Sequence, residues 1–130
     1  MSDGFGFHVE VAHSSGPRAG VLSTPHGRVQ TPLFMPVATL ASVKGVDIAR
    51  VTETGARMLL ANTYHLHLRP GEELVARSGG VGNFMGWPGP TLTDSGGYQV
   101  FSLAKQVKVT DHGATFQSHL DGSQVDLTPE

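Results

Sequence analysis

The segment Thr91-Leu-Thr-Asp-Ser-Gly-Gly-Tyr-Gln-Val-Phe-Ser-Leu103 gives the clearest indication of the architecture of this chain. The short segment Thr91-Leu-Thr93 leads into Asp94, two glycines follow after Ser95, and Tyr98 precedes an apolar run. This order is typical of a strand that ends in a site, because the scaffold can aim the carboxylate while glycine permits close backbone approach and positive φ. An ordinary turn at residues 94–97 is the alternative, and these four residues alone do not exclude it.

The segment before this stretch predicts a parallel α/β unit. The pattern predicts a helix over residues 47–53, a buried strand over 57–61 and a second helix over 70–76, followed by the strand that leads to Asp94. Asn62 is the first polar residue after the earlier strand. Because parallel strands end at one edge of a sheet, we expect both polar residues to lie at that edge.

Segments rich in β-strand pattern flank this unit. Alternating apolar residues predict a half-buried strand over residues 5–11, the first of an antiparallel meander. Residues 106–109 and 114–120 alternate again and predict an inserted β-hairpin or small meander. The expected fold class is therefore α/β, with a meander over about residues 1–37 and α/β units plus the β insertion over 38–130.

Composition limits the class of protein. With 38% hydrophobic and 15% charged residues, the 130-residue chain is typical of a globular protein. Its net charge of −2 gives no basic surface for nucleic acid, so most phosphate contacts to any RNA must come from elsewhere. There is no cysteine, no apolar run that could span a membrane and no secretory signal, so we expect a cytoplasmic location and no membrane partner.

The sequence gives only weak indications of a metal site, a serine nucleophile or a phosphate-binding loop. His65 and His67 have a spacing that could bind a metal ion, but the sequence offers no third ligand at a spacing typical of metal sites. Histidines in such positions more often lie in loops or pack against neighbours. Ser95 lacks the preceding glycine of a nucleophile elbow. Gly96 and Gly97 lack the lysine and the spacing of a phosphate-binding loop.

Asp94 and Asn62 form the strongest candidate pair. An amide N–H from Asn62 would favour the ionised carboxylate and fix its orientation, which suits a general base. Tyr98 can offer a ring face to a flat ligand. The alternative is that Asn62 only caps its loop and that Tyr98 belongs to the core.

Five motifs resemble, in order and spacing, the N-terminal part of the tRNA-guanine transglycosylases, which are the queuine tRNA-ribosyltransferases. They are Thr31-Pro-Leu-Phe-Met-Pro-Val37, Ala61-Asn-Thr-Tyr-His-Leu-His-Leu-Arg-Pro-Gly71, Phe84-Met-Gly-Trp87, Thr93-Asp-Ser-Gly-Gly-Tyr-Gln-Val-Phe-Ser-Leu103 and Ser118-His-Leu-Asp-Gly-Ser123. The similarity extends from about residue 18 to the last residue. It implies a pentosyltransferase of queuosine biosynthesis that exchanges guanine at the wobble position of GUN-anticodon tRNAs for a 7-deazaguanine, preQ1 in bacteria.

The resemblance also implies an architecture and a mechanism. The family folds as a TIM-type (β/α)8 barrel with inserted elements and a structural zinc site, and it works as a homodimer. A carboxylate from a later strand attacks ribose C1′ and gives a covalent enzyme–tRNA intermediate, which parallels glycoside hydrolysis.

By residue-to-residue matching, the resemblance implies that Asp94 is catalytic, contacting the base and moving its protons. Asn62 would hydrogen-bond Asp94, Tyr98 would stack on the base, and Val37 and Leu60 would line the pocket wall. The residues implied to bind the substrate base are Asp94, Asn62, Tyr98, Val37, Leu60, Ser95, Gly96 and Gly97.

The nucleophile and the zinc ligands of the family have no counterpart in this sequence, so no metal ligand is assigned. An eight-stranded barrel needs about 250 residues, and Thr128-Pro129-Glu130 has the pattern of a helix start. We therefore expect an N-terminal fragment of a longer enzyme, inactive by itself. The alternative is a shortened, non-catalytic paralogue that acts as a binding or dimerisation subunit.

Overall fold

The computed structural model describes residues 4–129, in which three small sheets and five short helices alternate along the chain. The strands are β1 Gly6–Ala12, β2 Arg18–Thr24, β3 Gly27–Thr31, β4 Leu59–Ala61, β5 Thr91–Thr93, β6 Lys105–Thr110, β7 Gly113–Gln117 and β8 Gln124–Leu127. The helices are α1 Ile48–Glu53, α2 Thr63–Leu68, α3 Glu72–Arg77, α4 Val81–Met85 and α5 Gly97–Leu103. None of the helices in residues 4–129 has the length and hydropathy that a membrane span requires.

The first sheet is an antiparallel meander in the order β1-β2-β3, as the alternation predicts. The prediction that its first strand is half-buried is wrong, because every residue of β1 is exposed. Phe7 pairs with Leu22 of β2, and the Arg18 guanidinium lies 5.9 Å from the Phe7 ring centre. Alternation shows which side chains share a face, but β1 is an edge strand, and burial also needs an element packed on that face.

The second sheet holds the predicted parallel pair. β4 and β5 run parallel with Leu60 opposite Leu92, and Val37 forms a parallel bridge to Leu60 on the other side. Leu59 and Ala61 point to the face of the sheet opposite to that of Leu60, and both are fully buried in the main core. The carboxyl ends of β4 and β5 therefore lie at one edge, while closure into a TIM-type barrel stays a prediction.

Two of the five helices lie where the sequence predicts them. Asp47 caps α1 by accepting a hydrogen bond from the Arg50 N–H at 3.0 Å, and α3 begins after Gly71. The sequence patterns missed α2, α4 and α5, for which no side-chain cap is present. These helices have five to seven residues and include glycine or aromatic residues, so intrinsic propensity gives little signal.

The β insertion is a meander of three strands in the order β6-β7-β8, one strand more than a hairpin. It packs on the second sheet's helices through a small aromatic core formed by Tyr64, Val100 and Phe116. This core joins α2, α5 and β7, so the insertion contacts the elements that surround Asp94. The helix start predicted at residues 128–130 includes Glu130, which lies outside the described residues.

We expect Leu59→Ala to lower the free energy of unfolding by about 2–5 kcal/mol, because it opens a cavity in a fully buried part of the core. Leu74→Ala is the matched control, since Leu74 is 40% exposed on α3 and its truncation should cost less than about 1 kcal/mol. Urea denaturation of both variants measures the difference. Equal losses would contradict a core centred on β4.

Candidate functional site

Asp94 follows β5 directly and Asn62 follows β4 directly. The Asp94 N–H donates to the carbonyl of Ala61 at 3.3 Å, so the backbone pairing of the two strands continues into the site. The Asn62 side-chain amide then donates to Asp94 Oδ2 at 2.7 Å. The two polar residues that the strand pattern predicts at one edge are thus in direct contact.

Hydrogen-bond donors from three elements hold the Asp94 carboxylate. Oδ2 accepts from the side-chain amides of Asn62 at 2.7 Å and Gln99 at 3.0 Å, while Oδ1 accepts from the Thr63 N–H at 2.9 Å. Burial acts to raise the pKa of Asp94, but these hydrogen bonds and the Gly96 N–H outweigh it and hold the pKa below its ordinary value. The group is therefore an ionised, oriented proton acceptor.

The start of α2 also contacts the backbone of residues 94–96. The Thr63 hydroxyl donates to the backbone carbonyl of Asp94. Gly96 has a φ of +74°, and a Cβ there would lie 3.1 Å from the Tyr64 nitrogen and 3.2 Å from the Tyr64 Cβ. Glycine is needed at position 96 for both reasons, because another residue would be strained and would press against α2.

Tyr98 lies at the rim of the site with 77% of its surface exposed. It belongs to the first turn of α5, one of the helices that the sequence patterns missed. The helix sets the direction of both Tyr98 and Gln99, one outward and the other toward the carboxylate. Ser95 is exposed, and its Oγ lies 3.5 Å from the Gly97 nitrogen.

Val37 and Leu60 lie side by side in the second sheet. They form a parallel bridge, and Leu60 stands opposite Leu92. Neighbouring residues in register point to the same face, so the three side chains form a continuous apolar strip beside Asp94, which follows Leu92 by two positions. Their role as a pocket wall stays a prediction.

The two histidines of α2 have separate partners. His67 Nδ1 lies 3.0 Å from Glu72 Oε2, whereas the His65 ring stands edge-on to Tyr64 with centres 5.3 Å apart. Within residues 4–129 no group of three or more His, Cys, Asp or Glu side chains is placed to hold a metal ion. Both histidines thus have structural contacts of their own.

Sequence reasoning did not assign Thr63 or Gln99 to the site. Thr63 follows Asn62, so its proximity to a strand end was an available signal. Gln99 gave no comparable signal, because the direction of its side chain depends on α5. The glycine pair at the start of α5 does not predict a helix. Gln99 Oε1 is buried and lacks a hydrogen-bond partner in the described part of the chain, so it is an acceptor that a ligand N–H would satisfy.

Known proteins of one family are similar to this chain over most of its length. A family model described as Queuine tRNA-ribosyltransferase matches residues 13–130. The Queuine tRNA-ribosyltransferase of Synechococcus sp. (strain CC9605) is 56% identical over 128 residues, which cover 97% of this chain and 34% of the relative. That of Nostoc sp. (strain PCC 7120) is 61% identical over 113 residues, covering 87% of this chain and 30% of the relative. The chain thus spans about a third of the length of these curated relatives, and it belongs to the queuine tRNA-ribosyltransferase family.

Proposed function

We propose that this chain supplies the N-terminal part of a tRNA-guanine transglycosylase. The complete enzyme exchanges guanine at the wobble position of GUN-anticodon tRNAs for a 7-deazaguanine, preQ1 in bacteria, in queuosine biosynthesis. The observation that carries the proposal is the Asp94 carboxylate, fixed by Asn62, Thr63 and Gln99 at the edge where two parallel strands end. Family membership supports the same reaction.

Asp94 suits proton transfer in base exchange. The departing guanine must gain a proton when its bond to ribose breaks, and the incoming base must lose one when the new bond forms. In its ionised form the oriented carboxylate can accept the proton that the incoming base loses. Once protonated in this way, the carboxyl group can deliver that proton to the departing guanine of a later turnover. Tyr98 stands exposed beside it and offers a ring face on which the flat base can stack.

The remaining parts of the machinery belong to the complete protein. We assign the carboxylate that attacks ribose C1′, the ligands of a structural zinc ion and the contacts of a homodimer to regions outside residues 4–129. The fragment alone is inactive in this proposal, because the covalent enzyme–tRNA intermediate needs that nucleophile. We also propose a cytoplasmic location for this enzyme.

The fold proposal is the first part of a TIM-type (β/α)8 barrel. The segment at Val37, β4 and β5 lie next to one another in chain order and run parallel, which supports it. The complete donor set on Asp94 favours the enzyme over a non-catalytic subunit, since a subunit has no chemical need of an oriented, ionised carboxylate.

In the full-length protein, we expect Asp94→Asn to lower the rate of base exchange by about 100-fold or more, the scale of lost general acid–base assistance. The rate is measured as incorporation of labelled guanine into tRNA. Asp111→Asn is the matched control, because Asp111 is exposed in the turn between β6 and β7, and it should keep wild-type activity. Near wild-type exchange by Asp94→Asn would remove Asp94 from the mechanism.

Tyr98→Ala should weaken binding of the free base by about 5- to 150-fold, because stacking contributes about 1–3 kcal/mol per base. Tyr98→Phe keeps the ring and should bind within about twofold of wild type. Isothermal titration of preQ1 into the full-length variants distinguishes the two. Tight binding by Tyr98→Ala would show that the base does not stack there.

A further inference from the structure

The segment Ser118-His-Leu-Asp-Gly-Ser123 is a motif without a role in the proposed chemistry. It forms a turn after β7 that is closed by its own hydrogen bonds: the Ser118 N–H donates to the Ser123 carbonyl at 2.8 Å, and the Gly122 N–H donates to the Ser118 carbonyl at 2.9 Å. Asp121 Oδ1 accepts from the Ser123 N–H at 3.1 Å and from its hydroxyl at 2.7 Å. A turn bonded in this way holds His119 in a defined place.

His119 contacts Tyr64 in two ways. The Tyr64 hydroxyl and His119 Nδ1 share a hydrogen bond of 2.8 Å, and the two rings stack with centres 5.6 Å apart at 19°. Tyr64 is fully buried, and its ring also stacks on Phe116 of β7 with centres 5.4 Å apart. Burial raises the pKa of Tyr64, against a hydrogen bond from the His119 backbone that lowers it, so the buried hydroxyl stays neutral.

Two contacts connect Tyr64 with Asp94, one through Thr63 and the other through Gly96. Thr63, the residue before it, donates its N–H to the Asp94 carboxylate and its hydroxyl to the Asp94 carbonyl. Gly96 stands so close to Tyr64 that an added Cβ would lie 3.1 Å from the Tyr64 nitrogen. A displacement of Tyr64 therefore moves a donor of Asp94 and presses on the turn that carries Asp94.

We propose that His119 is a positioning residue for base exchange: by its hydrogen bond and stack with Tyr64 it fixes the start of α2 and thereby the orientation of the Asp94 carboxylate. The inference rests on the proposed function, in which Asp94 moves the protons. It gives the β insertion a task in the reaction, because His119 follows β7 while Asp94 follows β5. The competing explanation is that the contact only packs the insertion onto α2.

His65 is the titratable side chain that faces both ends of this chain of contacts. Its ring is edge-on to His119, with centres 6.0 Å apart. Burial and then the charge of His119 lower the pKa of His65, against a smaller opposite effect of Asp94. Because His119→Phe removes one of these effects on His65, the acid limb of the rate profile is compared first in Tyr64→Phe, which keeps both histidines.

The test uses the full-length enzyme with His119→Phe, Tyr64→Phe and the double variant, all of which keep aromatic rings in place. We expect kcat to fall on the order of 10- to 100-fold, the scale of a small misplacement of a catalytic group, with KM for tRNA within about twofold. The acid limb of the kcat–pH profile should move to higher pH, because a displaced Thr63 N–H no longer holds the pKa of Asp94 down. The double variant should be no slower than the single ones, since all remove the same hydrogen bond.

Two further variants separate positioning from packing. His119→Asn keeps a polar atom near the place of Nδ1 and should recover much of the lost kcat. Thr115→Val removes the 2.6 Å bond to Asp126 within the same β insertion and should leave both kcat and the acid limb at wild-type values. The inference is overturned if His119→Phe lowers only the melting temperature, with kcat and the acid limb unchanged, or if the losses of the single variants add.

Failure of the proposed function would have a different signature. If the wild-type enzyme exchanges no base, the proposed function falls, and the amide proton shift of Thr63 then tests positioning by itself. A shift change at Thr63 in His119→Phe supports the link to Asp94, and an unchanged shift overturns it. If His119→Phe does not fold, Tyr64→Phe gives the same two readings.

Discussion

Parallel pairing of β4 with β5 is the constraint on which the site depends. The ladder places Leu60 opposite Leu92, and both strands therefore end at one level, where Asn62 and Asp94 follow. A slip of one residue would turn every side chain of a strand to the opposite face. Such a slip would also expose Leu59, which is fully buried in the core, so the packing of the core enforces the geometry of the site.

The strand pairing determines the charge state of the Asp94 carboxylate. Burial alone would favour the neutral acid, whereas donors from the end of β4, the start of α2 and the first turn of α5 favour the ionised form and prevail. Because the folded pKa is depressed, this stabilisation is present above the ordinary aspartate value of about 3.9 and is lost as the pH falls through the folded pKa. The charge state of Asp94 thus depends on the correct placement of three elements at once.

Much of this arrangement could be predicted from the sequence, and the remainder has identifiable physical causes. Asn62 and Asp94 could be paired because each is the first amide or carboxylate side chain after a predicted strand, and parallel strands end at one edge of a sheet. Gln99 could not be placed, because α5 begins in a glycine pair that has low helix propensity. The contact between Tyr64 and His119 joins residues 55 positions apart and depends on how the β insertion packs, about which periodicity gives no information.

The most direct test of this account is an NMR titration of the Asp94 carboxyl carbon, in the wild-type protein and in Asn62→Ala. We expect an apparent pKa for Asp94 below the ordinary aspartate value of about 3.9, and a higher pKa once the Asn62 amide is removed. An ordinary or raised pKa in the wild type would contradict it, because the hydrogen-bond donors around Asp94 would then not outweigh burial.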